Sequence, residues 1–166
     1  MVVKTVLLLR HGKSDWDADY GRDHERPLAK RGIKAAKRMG RFLAKAGPLP
    51  DVCVTSTAVR ARTTLQLAYE AGDWTAQIHE TDRLYACGLD DVGAVIVNTD
   101  DAADVLLLAG HEPTWSAAVE EMIGGGTVEM PTAALACIDF EVERWEDVAW
   151  GGGTLRWLVI PKALKG

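Results

Sequence analysis

Four residues in this chain combine side chains suited to handling an oxyanion with positions where chemistry is done: Arg10, His11, Arg60 and His111. Arg10 and His11 follow directly on the apolar run Val6 to Leu9, and Gly12-Lys13-Ser14 comes next. Arg60 lies a few residues beyond a second apolar stretch, Val52 to Val54, within Ser56 to Thr64. His111 ends a third run, Val105 to Gly110, and is followed by Glu112-Pro113. Arginine presents a fixed fork of donors that matches phosphate oxygens. Histidine can attack phosphorus or shuttle a proton, and glycine lets the backbone turn tightly beside a ligand. One His beside one Arg would also suit an ordinary polar strand end. Two of each, brought together, describe a pocket for a tetrahedral dianion.

Bringing them together is the task of the elements around them. Continuous apolar runs of strand length suit strands covered on both faces, as in a parallel α/β sheet. In open sheets of that kind ligands bind beyond the carboxyl ends of the strands, where all four residues fall. Residues 15 to 26 read as a loop overhanging the first strand end. Pro27 then suits a helix start, with a helix running to Gly47 and an apolar stripe of Ile33, Ala36, Gly40 and Leu43. Lys30, Lys34, Lys37, Arg38, Arg41 and Lys45 give that helix a basic face, which reads either as a solvated surface or as a dock for an acidic partner. Ser56 to Thr64 should lead into a second helix that runs to about Gly72, and a third strand is expected near residues 76 to 81. Asp90 and Asp91 suit the start of another helix over 92 to 99, and a fourth follows Pro113. Residues 130 to 142 and 154 to 161 close the chain as strands. The expected fold is α/β: a single domain over 1–166, with a mostly parallel sheet flanked by helices and an antiparallel edge near the C-terminus.

Composition narrows the function classes. The 166 residues are 48% hydrophobic and 26% charged, with a net charge of −5. That balance is ordinary for a soluble domain and argues against nucleic acid as the partner. No run approaches the ~20 apolar residues of a membrane helix, and the N-terminal run is too short for the core of a signal peptide. Cys53, Cys87 and Cys137 form no CxxC pair and read as core thiols in a reducing cytoplasm. The four histidines lack HxH or HExxH spacing, so neither a metal nor another cofactor is expected. His24 and His79 match no catalytic pattern and read as core histidines.

The three corners, in order, resemble the histidine phosphatase superfamily, which has the phosphoglycerate-mutase-like fold. The matching segments are LLLRHGKS, then S-x-A-x-R-A-x-x-T at Ser56 to Thr64, then GHEP at Gly110 to Pro113. The resemblance implies that His11 is a transiently phosphorylated nucleophile. It also implies that Arg10, Arg60 and His111 hold the phosphoryl oxygens, with Gly12, Lys13, Ser14 and Glu112 on the phosphate side. His11 would then be needed unprotonated, and His111 would serve best protonated.

Larger members carry an acid for the leaving group within an inserted region. The corresponding stretch here resembles Leu84 to Gly88, which has no carboxylate, and the insertion is missing. The chain is similar instead to the small SixA-type phosphohistidine phosphatases. It shares Lys13 and Asp15-Trp16 after the RHG, the D-x-x-R-P-L-x-x-R-G segment from Asp23 to Gly32, and MPT at 130 to 132. Phosphohistidine has a labile P–N bond and leaves as an imidazole, so it needs less acid catalysis than a sugar phosphate. The implied partner is a phosphohistidine-bearing protein or a small phosphorylated substrate, the expected state a monomer. A small-molecule phosphomonoesterase and a phospho-binding module with little turnover are the competing readings. Asp23 to Gly32 is expected to pin the loop to the helix rather than to touch substrate. Trp16 and Tyr20 either line the crevice mouth or pack on the core edge. Lys13 either adds charge near phosphate or pairs with a loop aspartate.

Overall fold

The computed structural model describes residues 2–165. Six strands form one sheet: β1 Lys4–Arg10, β2 Val52–Ser56, β3 Gln77–Thr81, β4 Val105–Gly110, β5 Leu135–Phe140 and β6 Gly153–Val159, in the order β3-β2-β4-β1-β5-β6. Four helices cover it: α1 Lys30–Ala46, α2 Val59–Ala71, α3 Leu89–Val97 and α4 Thr114–Met122. The sheet and its helices make the phosphoglycerate-mutase-like architecture. Only residues 82–88 separate β3 from α3, so no inserted cap stands there.

The apolar run in β1 explains the layering. Alternate side chains of a strand leave on opposite faces. Val6 and Leu8 enter a core with Val92 and Ile96 of α3 and Trp115 and Val119 of α4. Leu7 and Leu9 enter a second core with Met39 and Leu43 of α1 and Leu65 of α2. All four are fully buried, and each contributes roughly 1.5–3 kcal/mol by leaving water.

Parallel pairing of β1 with β4 aligns Arg10 with Gly110, and pairing of β2 with β4 aligns Thr55 with Ala109. The carboxyl ends of the three strands therefore share one rim. Toward the C-terminus the sheet is antiparallel, as expected: β5 pairs antiparallel with both β1 and the edge strand β6, so β6 runs the same way as β1. One expectation needs correction: the first helix begins at Lys30 rather than at Pro27. Residues 27–29 stay extended because they pair with the loop after β1: Asp15 N–H donates to the Pro27 carbonyl and Ala29 N–H to that of Lys13 (both 2.8 Å), with a bridge between Ser14 and Leu28.

Candidate active site

The three strand ends open into a crevice of about 250 Å³ lined by Arg10, His11, Lys13, Ser14, Trp16, Arg26, Arg60, His111, Glu112 and Thr132. All four residues singled out at the strand ends meet there. His11 is only 8% exposed. Its backbone is held on both sides, with His11 N–H donating to the Gly110 carbonyl (3.0 Å) and the His11 carbonyl accepting from Ala133 N–H (2.9 Å). Its ring Nδ1 lies 2.7 Å from the Gly12 carbonyl. A carbonyl only accepts, so Nδ1 carries the proton and Nε2 of the neutral ring keeps its lone pair.

Desolvation pushes the His11 ring down to about 4, and the positive charges of Arg60, Arg10 and Arg26 push the same way against the Gly12 contact. His111, whose ring centroid lies 5.3 Å from that of His11, is pushed down to about 3, first by burial and then by His11 and Arg60. The expected contrast in charge is thus absent in the free protein. Both rings are neutral at pH 7, because both share one desolvated, cation-rich wall. His111 Nε2 is hydrogen-bonded to Ser56 Oγ at 2.8 Å.

Arg10 and Arg60 are each positioned by a carbonyl. Arg10 donates from Nη1 to the Met130 carbonyl at 2.9 Å, which places the 130–132 turn against the site. Arg60, 6% exposed, donates from Nη1 to the Asp23 carbonyl (2.7 Å) and from Nη2 to Asp23 Oδ2 (3.0 Å). Three buried side-chain nitrogens have no hydrogen-bond partner among the described residues: Arg10 Nε, Arg60 Nε and His111 Nδ1. All three belong to the crevice wall. Unpartnered buried polar atoms are rare elsewhere in proteins, and their clustering here suits an anion-binding wall.

Asp23 and Arg26 go beyond the loop-pinning expected of their segment. Asp23 also accepts from Arg26 Nη1 and from the Tyr85 hydroxyl (2.7 Å). The Tyr85 bond, then those of Arg26 and Arg60, hold its carboxyl below the usual carboxylate range against the opposing effect of burial. Arg26, 5% exposed, lines the crevice and donates from Nε to Ser14 Oγ (3.1 Å). Its guanidinium lies 3.6 Å from the ring centroid of Trp16, which is itself 64% exposed. Trp16 is therefore a crevice-mouth residue, with Tyr20 farther out at 5.9 Å from the same guanidinium. Arg26 carries a sequence signal, an R-P pair close after the loop, but its direction depends on how the loop folds back.

The remaining candidates divide by setting. Gly12 N–H donates to Thr64 Oγ1 (2.9 Å), tying the first corner to α2. A Cβ on Gly12 would come within 2.8 Å of the Gly32 carbonyl, so this approach requires glycine. Ser14 is buried as the acceptor for Arg26. Lys13 is exposed and makes no ion pair among the described residues. Glu112 accepts from Ser116 N–H (2.7 Å) with Oε1 and from Ser116 Oγ with Oε2. Neither spare histidine is a core residue. His24 is hydrogen-bonded to Thr57 Oγ1 (2.8 Å) and packs edge-on against Tyr85, while His79 is exposed on the edge strand β3. Cys53 and Cys137 are buried thiols and Cys87 is half-buried. No three His, Cys, Asp or Glu side chains among the described residues form a candidate metal group, and none of the described helices is long and apolar enough to cross a membrane.

An α/β sheet whose parallel strands deliver two arginines and two histidines to one rim is built for phosphoryl chemistry. The family model of the histidine phosphatase superfamily (branch 1) matches residues 6–92, and the chain belongs to that superfamily. An uncharacterized protein of Mycobacterium tuberculosis (strain H37Rv) is 35% identical over 167 residues, covering 93% of this chain and all of that one. Among solved structures, SixA from Nakamurella multipartitia superposes with a TM-score of 0.83 at 29% identity, covering 97% of this chain and 98% of that one. The protein histidine phosphatase SixA complexed with tungstate gives 0.80 at 26% identity, covering 97% and 99%. Within the superfamily the chain is of the SixA type, and family and site together support a phosphatase.

Proposed function

We propose that the protein is a phosphohistidine phosphatase acting on a phosphorylated protein through a phospho-His11 intermediate. The observation that carries this reading is the state of the carboxylate on the crevice wall. Among the described lining residues Glu112 is the one carboxylate, and both of its oxygens already accept hydrogen bonds from Ser116. Asp23, just behind, is tied to three donors and held ionised. Neither is available to protonate an alkoxide. An imidazole leaving group does not need that proton.

In this reading His11 Nε2 attacks phosphorus as the P–N bond of the substrate breaks, and the electron pair of that bond goes to the departing ring nitrogen. A substrate ring with its distal nitrogen protonated leaves as neutral imidazole. Arg10, Arg60, Arg26 and His111 surround the equatorial oxygens, where positioned positive charge is the main source of rate in phosphoryl transfer. Water then attacks phospho-His11, releasing inorganic phosphate and restoring the ring.

Rapid-quench labelling with a radiolabelled phosphohistidine phosphocarrier protein tests it, comparing wild type with His11→Ala. Label that moves to the enzyme, leaves with time and is abolished by the substitution is the expected result. Single-turnover preference for sugar phosphates over phosphohistidine would replace the reading with a small-molecule phosphomonoesterase. Binding without transfer would make the protein a phospho-binding module.

A further inference from the structure

A second groove, of about 590 Å³, opens beside the crevice and is lined by Lys13, Arg31, Lys34, Arg38, Lys162 and Lys165. Lys13 and Thr132 line both cavities, so the two are continuous. Every ionisable residue on the groove wall is a cation, in a chain whose net charge is −5. None of the six makes an ion pair among the described residues.

The cations come from three separate parts of the chain: the loop after β1, the first turns of α1, and the short turn Pro161–Leu164, which packs against α1, with Lys165 directly after it. Arg31, Lys34 and Arg38 follow a spacing of three and four, which places them on one helix face. Like charges so placed repel one another. The floor between them is apolar, with Ala35, Pro131 and Ile160. A free inorganic ion would use the charges but leave the floor uncovered. An acidic polypeptide segment with apolar side chains would use both.

We propose that this groove docks an acidic, amphipathic segment of the phosphorylated protein and so aligns its phosphohistidine with His11. The proposal rests on the phosphohistidine reading for its substrate but not for its binding chemistry, and the two can fail separately. The probe is a fluorescein-labelled, unphosphorylated helical peptide of Glu and Leu, compared with the same peptide carrying Gln for Glu. Binding is followed by fluorescence anisotropy to wild type and to Lys34→Glu/Arg38→Glu/Lys162→Glu. A neutral variant, Lys34→Gln/Lys162→Gln, guards against a folding defect in the reversed one.

Wild type is expected to bind the Glu peptide about tenfold or more tighter than the Gln peptide. The preference should be lost in the reversed variant, reduced in the neutral one and suppressed near 1 M salt, where the screening length is about 3 Å. Hydrolysis of phosphoramidate, a small P–N compound, should be unchanged in both variants. Equal affinity for the two peptides, or affinity indifferent to the substitutions, would overturn the proposal. Displacement of the peptide by a single-stranded oligonucleotide of equal charge at equal concentration would also overturn it, in favour of a general polyanion site. Failure to hydrolyse phosphoramidate or phosphohistidine, with peptide binding intact, would count against the catalytic reading alone.

Discussion

Asp23 grips Arg60 at two points, its carbonyl accepting from Nη1 at 2.7 Å and its carboxylate from Nη2 at 3.0 Å. The same carboxylate accepts from Arg26 and from Tyr85. The orientation of two crevice cations therefore depends on one side chain that itself touches the crevice only through them.

Replacing that side chain should misplace both cations. Asp23→Ala is expected to lower kcat/KM by about a hundredfold, the scale of loss when a charge-stabilising group is misplaced by about 1 Å. Asp23→Asn keeps the backbone contact and one acceptor oxygen and should lose less. Steady-state kinetics of the two variants on one substrate decides the matter, and equal losses would refute a positioning role.

Neutral histidines packed on a desolvated wall make stability depend on pH. His11 lies near 4 and His111 near 3 in the folded protein, against about 6.5 in an unfolded chain. The unfolded chain thus binds more protons between these values, so stability rises with pH through that window and is lost as pH falls below about 6.5. For His11 the full effect is on the order of 3 kcal/mol. Urea unfolding at pH 7 and pH 5 should show the loss in wild type and a smaller one in His11→Gln. Asp23, held low, adds a further loss only in stronger acid.

Anion binding should reverse the histidine shift. A tetrahedral dianion beside His111 favours the imidazolium, so binding of sulfate, which has no proton of its own to lose at pH 6, should draw in up to about one proton. Calorimetry in two buffers of different ionisation enthalpy measures this uptake directly. Identical heats in both buffers would mean that the rings stay neutral with the ligand bound.

The contact of Gly12 with Gly32 leaves no room for a side chain on either residue. A Cβ on Gly32 would collide with the Lys13 backbone. Gly32→Ala is expected to cost about 1–3 kcal/mol through overpacking, with activity lost as the corner after β1 shifts. Gly88→Ala, where a Cβ meets nothing within 4 Å, serves as the control. Thermal unfolding and turnover of the pair are the measurements.

Trp16 is exposed, so its stacking on Arg26 contributes more to the site than to the core. A cation–π contact of this kind is worth about 0.5–1 kcal/mol at an exposed position. Trp16→Ala should raise KM about two- to fivefold while leaving kcat and the unfolding midpoint nearly unchanged. A change in kcat alone would point to a different role.

The sequence alone determined where the three strand ends lie and which charged side chain follows each. An apolar run that stops at Arg10-His11, or at His111, is a local signal: strand period, burial and the first polar residue are all set within a few positions. The same holds for the stripe that buries Ala36 and Leu43 of α1. Tertiary structure alone decided the wiring behind the site. Asp23 meets Arg60 across 37 residues and Tyr85 across 62, and no periodicity links such distant positions. It also placed β5 inside the sheet and set the first turn of α1, because both depend on partner strands and loops brought in from elsewhere. The joint neutrality of His11 and His111 follows from shared desolvation, a property of the assembled wall rather than of either residue. The cationic groove likewise exists only because the chain's last turn folds back on α1. Pairwise contacts over long loops are chosen by packing of the whole, which local residue patterns do not encode.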